Sequence, residues 1–300
     1  MKLRQTYKVA GHLFSIEILQ ESFLWERMKA SYGPFEVVSE EEKDCIFSLS
    51  ICEKIEAEGA SLVFSNKAEV EPGFVAMEVY DTSEGYYFEL TQPGSQEVNA
   101  RLSISRDFKR AGLSLCGRNV EQWLAFNTSV DFCYLLSTAR RNTVLTHASS
   151  VIYDGRAYLF LGKSGTGKST HSRMWLTALE DVVLMNDDHP VLRVEGGMVT
   201  AYGSPWSGKT PCYKNISAPL GGVVRIIRAP YNKASRLSPI KAYASLMTSC
   251  SGMTWDKELA DGKDKTLQGI VSTTPCWIME CLPDADAAKV CVEAVTAVYK

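Results

Sequence analysis

The sequence lacks the features that identify several classes of protein. Its nine cysteines are an odd number scattered along the chain without a Cys-x-x-Cys pair, and no set of them stands at zinc-ligand spacing from the four histidines. We therefore expect reduced, mostly buried thiols and no metal cage. No apolar stretch approaches the length of a membrane span, and the amino-terminal segment has no continuous apolar region of the secretory type. These absences predict a cytoplasmic protein without a membrane partner.

The charge distribution argues against nucleic acid as a partner. The formal net charge is -3, and no run of Lys and Arg interleaved with aromatic residues occurs. With 45% hydrophobic and 22% charged residues, the chain has the composition of a packed globular protein. Its 300 residues favour two domains over one.

The first part of the chain, residues 1–118, consists of short segments in which apolar and polar residues alternate. This period of two, broken by turn residues, predicts an antiparallel β-rich N-terminal domain. No glycine-rich phosphate loop occurs in it, so we expect a structural or partner-recognising role. The segments are YKVAGHLFSIEI, CIFSLSICE, SLVFSN, FVAMEVYD, YYFELTQPG and RLSISRD.

The second part, residues 119–300, changes pattern. Apolar residues between Val120 and Arg141 fall largely at helical spacing, which predicts a connecting helix or pair of helices. From Asn142 onward predicted strands alternate with helices, including a hairpin that turns at Gly196-Gly197 and a helix that begins after Ser238. Such alternation is typical of an α/β domain.

One segment of the second part fits G-x-x-x-x-G-K-[ST] at every fixed position. Glycines let backbone N–H groups turn toward a phosphate, and the following helix presents its positive end to the same anion. We expect Lys168 to neutralise β and γ oxygens of ATP, and the Ser169 hydroxyl to bind Mg²⁺. The residues predicted to bind the nucleotide are Gly162, Lys163, Ser164, Gly165, Thr166, Gly167, Lys168, Ser169 and Thr170.

The segment VVLMNDDHP is an apolar strand that ends in Asp187 and Asp188. One carboxylate beside a phosphate loop can hold magnesium, and a second can accept the proton of an attacking hydroxyl. The spacing does not decide which acid takes which role, although Asp188 is provisionally grouped with Ser169 as a metal ligand. An Asp-rich turn is the alternative interpretation.

Three further positions are candidates. His147 lies on a predicted strand close to the phosphate loop, where it is either structural or functional. The segment GSPWSGKT also satisfies the phosphate-loop formula, but Pro211 directly behind it argues against a helix there. Trp206 and Lys209 on this loop could instead close over a substrate, or the loop could be an ordinary surface loop. His171 is predicted on a helix surface and His189 beside the acids.

The order of these features resembles the catalytic domain of HPr kinase/phosphorylase and, more distantly, the nucleotide-binding part of ATP-dependent phosphoenolpyruvate carboxykinase. The resemblance covers residues 142–230 and not the N-terminal half. It implies a P-loop kinase domain like the C-terminal domain of HPr kinase, acting as a serine kinase. By this similarity His147 matches the family's histidine before the loop, and Asp187 and Asp188 match its catalytic acids.

The sequence also departs from that family. Its segment E-I-R-G-L-G-I is missing, and GSPWSGKTPCY stands in that place. The chain is thus similar to divergent HPr-kinase-like proteins, and this similarity implies that the acceptor is a serine of a protein or peptide, or a small molecule. The kinases it resembles often form oligomers, so a homo-oligomer is a further expectation.

Three functions follow in order of preference. The first is transfer of the γ-phosphoryl group of Mg-ATP to a hydroxyl, with serine as the acceptor. The second is a non-catalytic nucleotide-sensing module. The third is a carboxykinase-like activity, for which Arg225 and Arg228 are possible anion binders, although alternation along a strand explains these arginines equally well.

Overall fold

The computed structural model describes residues 2–38, 44–70, 74–208 and 210–299. The chain forms two compact units, of which the first comprises Met1–Thr138 with Met253–Lys257 and the second Ala139–Gly252 with Glu258–Lys300. Each unit contains a large β-sheet with helices, so the chain folds into a mixed α/β protein. Within the described residues, no helix combines the length and the apolar character needed to cross a membrane.

The first unit is built on a mixed sheet whose strand order is β3-β1-β2-β4-β9-β8-β7-β6-β5. The expected antiparallel arrangement is wrong at two pairs, because β4 runs parallel to both β2 and β9. A helix that the sequence reading did not predict, α1, lies between β2 and β4 and supplies the length that a parallel connection needs. The elements are β1 (Lys2–Val9), β2 (His12–Leu19), α1 (Phe23–Ser31), β3 (Glu36–Val37), β4 (Cys45–Ile51), β5 (Ser61–Ser65), β6 (Ala76–Asp81), β7 (Gly85–Thr91), β8 (Ala100–Ser105) and β9 (Arg110–Leu115).

The predicted connecting helix is a single helix, α2 (Asn119–Thr138). Its Tyr134 hydroxyl donates to the carbonyl of Val9 at 3.0 Å, and its Ser137 hydroxyl donates to the carbonyl of Phe108 at 3.0 Å. Phe126 and Val130 of the same helix are fully buried. Because α2 packs on the first sheet, the boundary between the two units lies after this helix, at Thr138. The sequence had predicted the boundary before the helix, at residue 118.

The second unit is a sheet covered by helices on both faces. The strand order is β10-β14-β15-β16-β12-β11-β13, with β18 also paired to β16, and β17 to β18. One core cluster contains residues of α4 and α5, and the other contains residues of α3 and α6. The elements are β10 (Thr143–Leu145), β11 (Ala148–Tyr153), β12 (Arg156–Leu161), α3 (Lys168–Ala178), β13 (Val183–Asp188), β14 (Val191–Glu195), β15 (Met198–Tyr202), β16 (Ser217–Arg228), β17 (Lys233–Arg236), α4 (Pro239–Met247), α5 (Lys257–Thr273), β18 (Cys276–Cys281) and α6 (Ala285–Thr296).

Most of these elements match the sequence expectation. The hairpin of β14 and β15 turns at Gly196-Gly197, where both glycines have positive φ, and α4 begins after Ser238 with Pro239 in its first turn. Helix α5 was not predicted. The nine cysteines are free, and seven of them are buried, which confirms the expected pattern of mostly buried thiols.

Strand register brings distant parts of the second unit into one row. Leu161 at the end of β12 pairs with Arg225 of the parallel strand β16 and with Ala148 of the antiparallel strand β11. Ala148 pairs in turn with Asp188 at the end of β13. The segment after β12, the start of β11 and the end of β13 therefore meet at the same edge of the sheet.

Candidate active site

The glycine-rich segment forms a tight loop between β12 and α3. Gly165 has φ 75° and Gly167 has φ 112°, a backbone conformation that side chains with a Cβ rarely adopt. At Gly162 an added Cβ would lie 2.4 Å from the Thr166 hydroxyl. The Thr166 hydroxyl itself donates to the carbonyl of Lys163 at 2.7 Å. The glycines thus permit the turn from strand to helix.

The start of α3 has the properties of an anion site. Gly167 occupies the N-cap position and provides no side-chain hydrogen bond to the first turn. The first N–H groups of a helix have no partner within the helix, and their partial positive charge favours an anion. The start of α3 can therefore attract an anion, and its binding of nucleotide phosphates stays a prediction of the sequence motif.

Lys168, the first residue of α3, points back over the loop. Its ammonium nitrogen lies 2.9 Å from Nε2 of His147 and donates to the carbonyl of Gly162 at 3.1 Å. Burial lowers the pKa of Lys168, while the negative charges of Asp188 and Asp187 act in the opposite direction. The loop lysine is therefore in the electrostatic field of both predicted acids.

His147 connects the loop lysine to one of the two acids, Asp188. Its Nδ1 lies 3.1 Å from Oδ1 of Asp188, so that Lys168, His147 and Asp188 form a continuous chain of polar contacts. The backbone N–H of His147 donates to the carbonyl of Ser249 at 2.6 Å, which fixes the backbone from which the ring projects. Three of the predicted residues, which are far apart in sequence, are thereby brought together.

The two acids have different surroundings. Asp188 is partly exposed, whereas Asp187 is buried. Burial raises the pKa of Asp188, but its hydrogen bond with His147 and the positive charges of His189, His147 and Lys168 outweigh burial, so the net effect is a lowered pKa. An ionised, partly accessible carboxylate can accept a proton or bind a cation.

His189 adds a third potential ligand next to this carboxylate. One atom each of His147, Asp188 and His189 lie within 4.8 Å of one another. Two imidazoles and a carboxylate can bind a divalent metal. His147, however, already contacts Lys168 and Asp188 through its two ring nitrogens.

Buried Asn186 holds the next loop against the acids. Its amide nitrogen donates to the hydroxyl of Ser204 at 3.1 Å and to the carbonyl of Trp206 at 3.0 Å, and its oxygen accepts from the N–H of Asp188 at 3.0 Å. The N–H of Gly208 donates to the carbonyl of Asp187 at 2.9 Å. The predicted substrate loop thus lies beside the acid pair.

The predicted roles of the loop side chains stay predictions. Trp206 is 2% exposed, so its indole would have to move in order to cover a substrate. Lys209 lies outside the described residues. No phosphate-binding helix follows this loop within the described residues around it, since the next helix in the chain is α4.

Three residues near the site, Asn186, Arg225 and Arg228, make contacts that the sequence did not predict, and one residue lies in a different environment from the expected one. The Asn186 contacts were not predicted, although a polar residue inside the apolar run VVLMN was a signal. Arg225 is bound by Ser245, Thr248 and Ser249, and Arg228 donates to the carbonyl of Gly165. His171 was expected on a helix surface, but it is 1% exposed because it packs against Phe160 and Trp175.

No family model matches the chain, and no curated protein matches it. A solved structure, that of the HPr(Ser) kinase/phosphatase from Coxiella burnetii, is 10% identical over 52% of this chain and 95% of that chain, with a TM-score of 0.29. Function therefore has to be inferred from the residues of the site.

Proposed function

We propose that the second unit is a nucleotide-dependent phosphotransferase that moves the γ-phosphoryl group of Mg-ATP to a hydroxyl. The acceptor that we propose is a serine of a protein, a peptide or the free amino acid. The observation that carries the proposal is the chain of contacts from Lys168 through His147 to Asp188, beside the uncapped start of α3. A phosphate site and an ionised carboxylate next to each other are what phosphoryl transfer requires.

The residues of the loop have distinct roles in this proposal. Backbone N–H groups of residues 162–169 and the Lys168 ammonium hold the triphosphate in place. Ser169 and one of the acids hold Mg²⁺, which neutralises phosphate charge when it is bound. Since positioning and electrostatics account for most of the catalysis of phosphoryl transfer, a tight loop with a half-buried lysine is suited to the task.

We assign the role of base to Asp188 and the metal-binding role to Asp187, in place of the provisional grouping of Asp188 with the metal. Asp188 is the more exposed acid, and the contact with His147 orients its carboxylate. As the acceptor oxygen bonds to the γ-phosphorus, the bond from that phosphorus to the β–γ bridging oxygen breaks and ADP leaves. The hydroxyl proton passes to Asp188.

Mass spectrometry tests the proposal. The full chain is incubated with Mg-ATP and a mixture of serine, serine-containing peptides and cell metabolites. Lys168→Ala serves as the inactive variant, and Lys241→Ala, an exposed lysine of α4, is the matched control. We expect one acceptor to gain a single phosphate with the wild type and Lys241→Ala, but not with Lys168→Ala.

The opposite outcome is equally informative. If ATP binds and is never consumed, with the mixture present, the protein is a nucleotide-sensing module and the phosphotransferase proposal is wrong. Equal transfer by Lys168→Ala would show that the loop is not the active site.

A further inference from the structure

A cavity of about 500 Å³ opens beside the loop, and Thr166, Gly167 and Thr170 of the predicted nucleotide-binding segment line part of it. One wall is formed by Thr170 and Met174 of α3, and the other by the segments that follow β16 and β18. Pockets of this size are large enough to bury most of a small ligand. The cavity is therefore a candidate binding site in its own right.

The cavity lies on the opposite side of the loop from the acids. β12, which leads into the loop, has β16 as one neighbour and β11 as the other. The acids end β13, which pairs with β11, whereas the cavity lies at the ends of β16 and its neighbour β18. A nucleotide whose terminal phosphate faces the acids would therefore direct its nucleoside toward the cavity.

The surface of the cavity suits a flat apolar ring. Most of the exposed lining is apolar, with contributions from Met174, Ile226, Pro230, Leu282 and Pro283. Proline has no backbone N–H, so two of these positions offer no backbone donor to a charged group. Heteroaromatic bases gain affinity from apolar contact of this kind.

His171 is one of the polar residues that line the same cavity, together with Thr166, Thr170 and Arg228. Its Nε2 accepts from the indole N–H of Trp175 at 3.2 Å, so in the neutral ring the proton is on Nδ1. Nδ1 is buried and has no hydrogen-bond partner among the described residues. A ring nitrogen or carbonyl of a base that reached this buried donor would satisfy it.

We propose that this cavity holds the nucleoside of the nucleotide, with its base between Met174 on one wall and Leu282 on the other. The inference rests on the proposed function, because it takes the phosphates to bind in the loop. It goes further in assigning a separate site to the nucleoside. Since apolar walls discriminate weakly between bases, ATP and GTP should bind with affinities within about tenfold of each other.

Binding of ATP and of inorganic tripolyphosphate, measured by calorimetry in Mg²⁺, tests the assignment. Tripolyphosphate carries the phosphates without the nucleoside. Leu282→Gln removes an apolar contact at a position that is 39% exposed, and Met198→Gln at a position that is 73% exposed, outside the cavity, is the matched control. We expect Leu282→Gln to weaken ATP binding about tenfold and to leave tripolyphosphate binding unchanged, while Met198→Gln changes neither.

The outcomes separate the two proposals. If the wild type binds tripolyphosphate, but Leu282→Gln changes both ligands equally or neither, the loop assignment stands and the cavity assignment is wrong. If the wild type binds neither ligand, both are wrong. Met174→Gln on the opposite wall, checked for native circular dichroism, should reproduce the selective loss of ATP affinity, and failure to do so would also overturn the inference.

Discussion

At the scale of single residues, Asp187 and Asp188 are adjacent in sequence and differ in what they contact. Only Asp188 is hydrogen-bonded to His147, and it is the more exposed of the two. We expect Asp188→Asn to lower the phosphoryl-transfer rate by about 10²- to 10⁴-fold, the range for loss of a general base, with ATP affinity changed less than a few-fold. Single-turnover transfer and calorimetry measure the two effects separately.

Asp187→Asn is the companion variant. Because we assign Asp187 to the metal, its loss should raise the Mg²⁺ concentration needed for half-maximal transfer, which Asp188→Asn should leave unchanged. Wild-type rates in both variants would refute the assignment of the acids.

The burial of His171 predicts how the stability of the protein depends on pH. Burial lowers the pKa of His171 to about 4 from its ordinary value of 6.5. Below pH 6.5 the unfolded chain therefore binds a proton at His171 that the folded protein does not bind. The free energy of unfolding falls as a result when the pH is lowered toward 4. At 1.36 kcal/mol per pKa unit, the lowered pKa of His171 corresponds to a loss of about 3 kcal/mol in the free energy of unfolding.

Urea unfolding at several pH values measures this loss. His171→Gln cannot titrate, so the stability of the variant should fall by about 3 kcal/mol less than that of the wild type between pH 6.5 and pH 4. Parallel pH profiles for the two proteins would show that the ring is not buried in its neutral form.

At the scale of elements, β13 and the loop after β15 are held together by Asn186. Asn186→Ala would leave the N–H of Asp188 without its side-chain acceptor and remove the donor to Ser204 and Trp206. Unsatisfied buried polar groups cost about 1 to 3 kcal/mol each, so we expect a loss of about 2 to 4 kcal/mol in unfolding free energy. Asn215→Ala, at an exposed position, is the control. If Asn186→Ala lost less unfolding free energy than Asn215→Ala, the role of Asn186 would be contradicted.

Elements with strong local signals were predictable from the sequence. Residues close together in sequence determine the strand, glycine loop and helix around Lys168. The same is true of the hairpin at Gly196-Gly197. Helix α1 was missed because it is short and its apolar periodicity is weak, and α5 because only four of its 17 residues are large and apolar. The parallel pairs of β4 were missed because pairing depends on contacts distant in sequence.

At the scale of the whole molecule, the candidate site is a product of topology. The row Arg225, Leu161, Ala148 and Asp188 runs across four strands, and no spacing along the chain encodes that order. The glycine-rich motif identified Lys168, and the end of an apolar strand identified the acids. The contact of Lys168 with Asp188 through His147, the cavity beside the loop and the buried state of Trp206 required the packed structure, because each depends on which strands are neighbours.

Nucleotide binding should raise the free energy of unfolding of the chain. A ligand that binds only the folded state contributes about 2.7 kcal/mol at one hundred times its dissociation constant. For a unit of this size, that free energy corresponds to a rise in melting temperature of about 5 to 10 °C. Scanning calorimetry with Mg-ATP should show the rise in the wild type and in Lys241→Ala.

Lys168→Ala should not show this rise, because its loop lacks the cation that holds the β and γ phosphates. The comparison reports on binding alone, so it applies whether the bound nucleotide is consumed or only sensed. An equal rise in Lys168→Ala would mean that Mg-ATP stabilises the chain through a different surface. The loop, and every role assigned to its neighbours, would then have to be abandoned together.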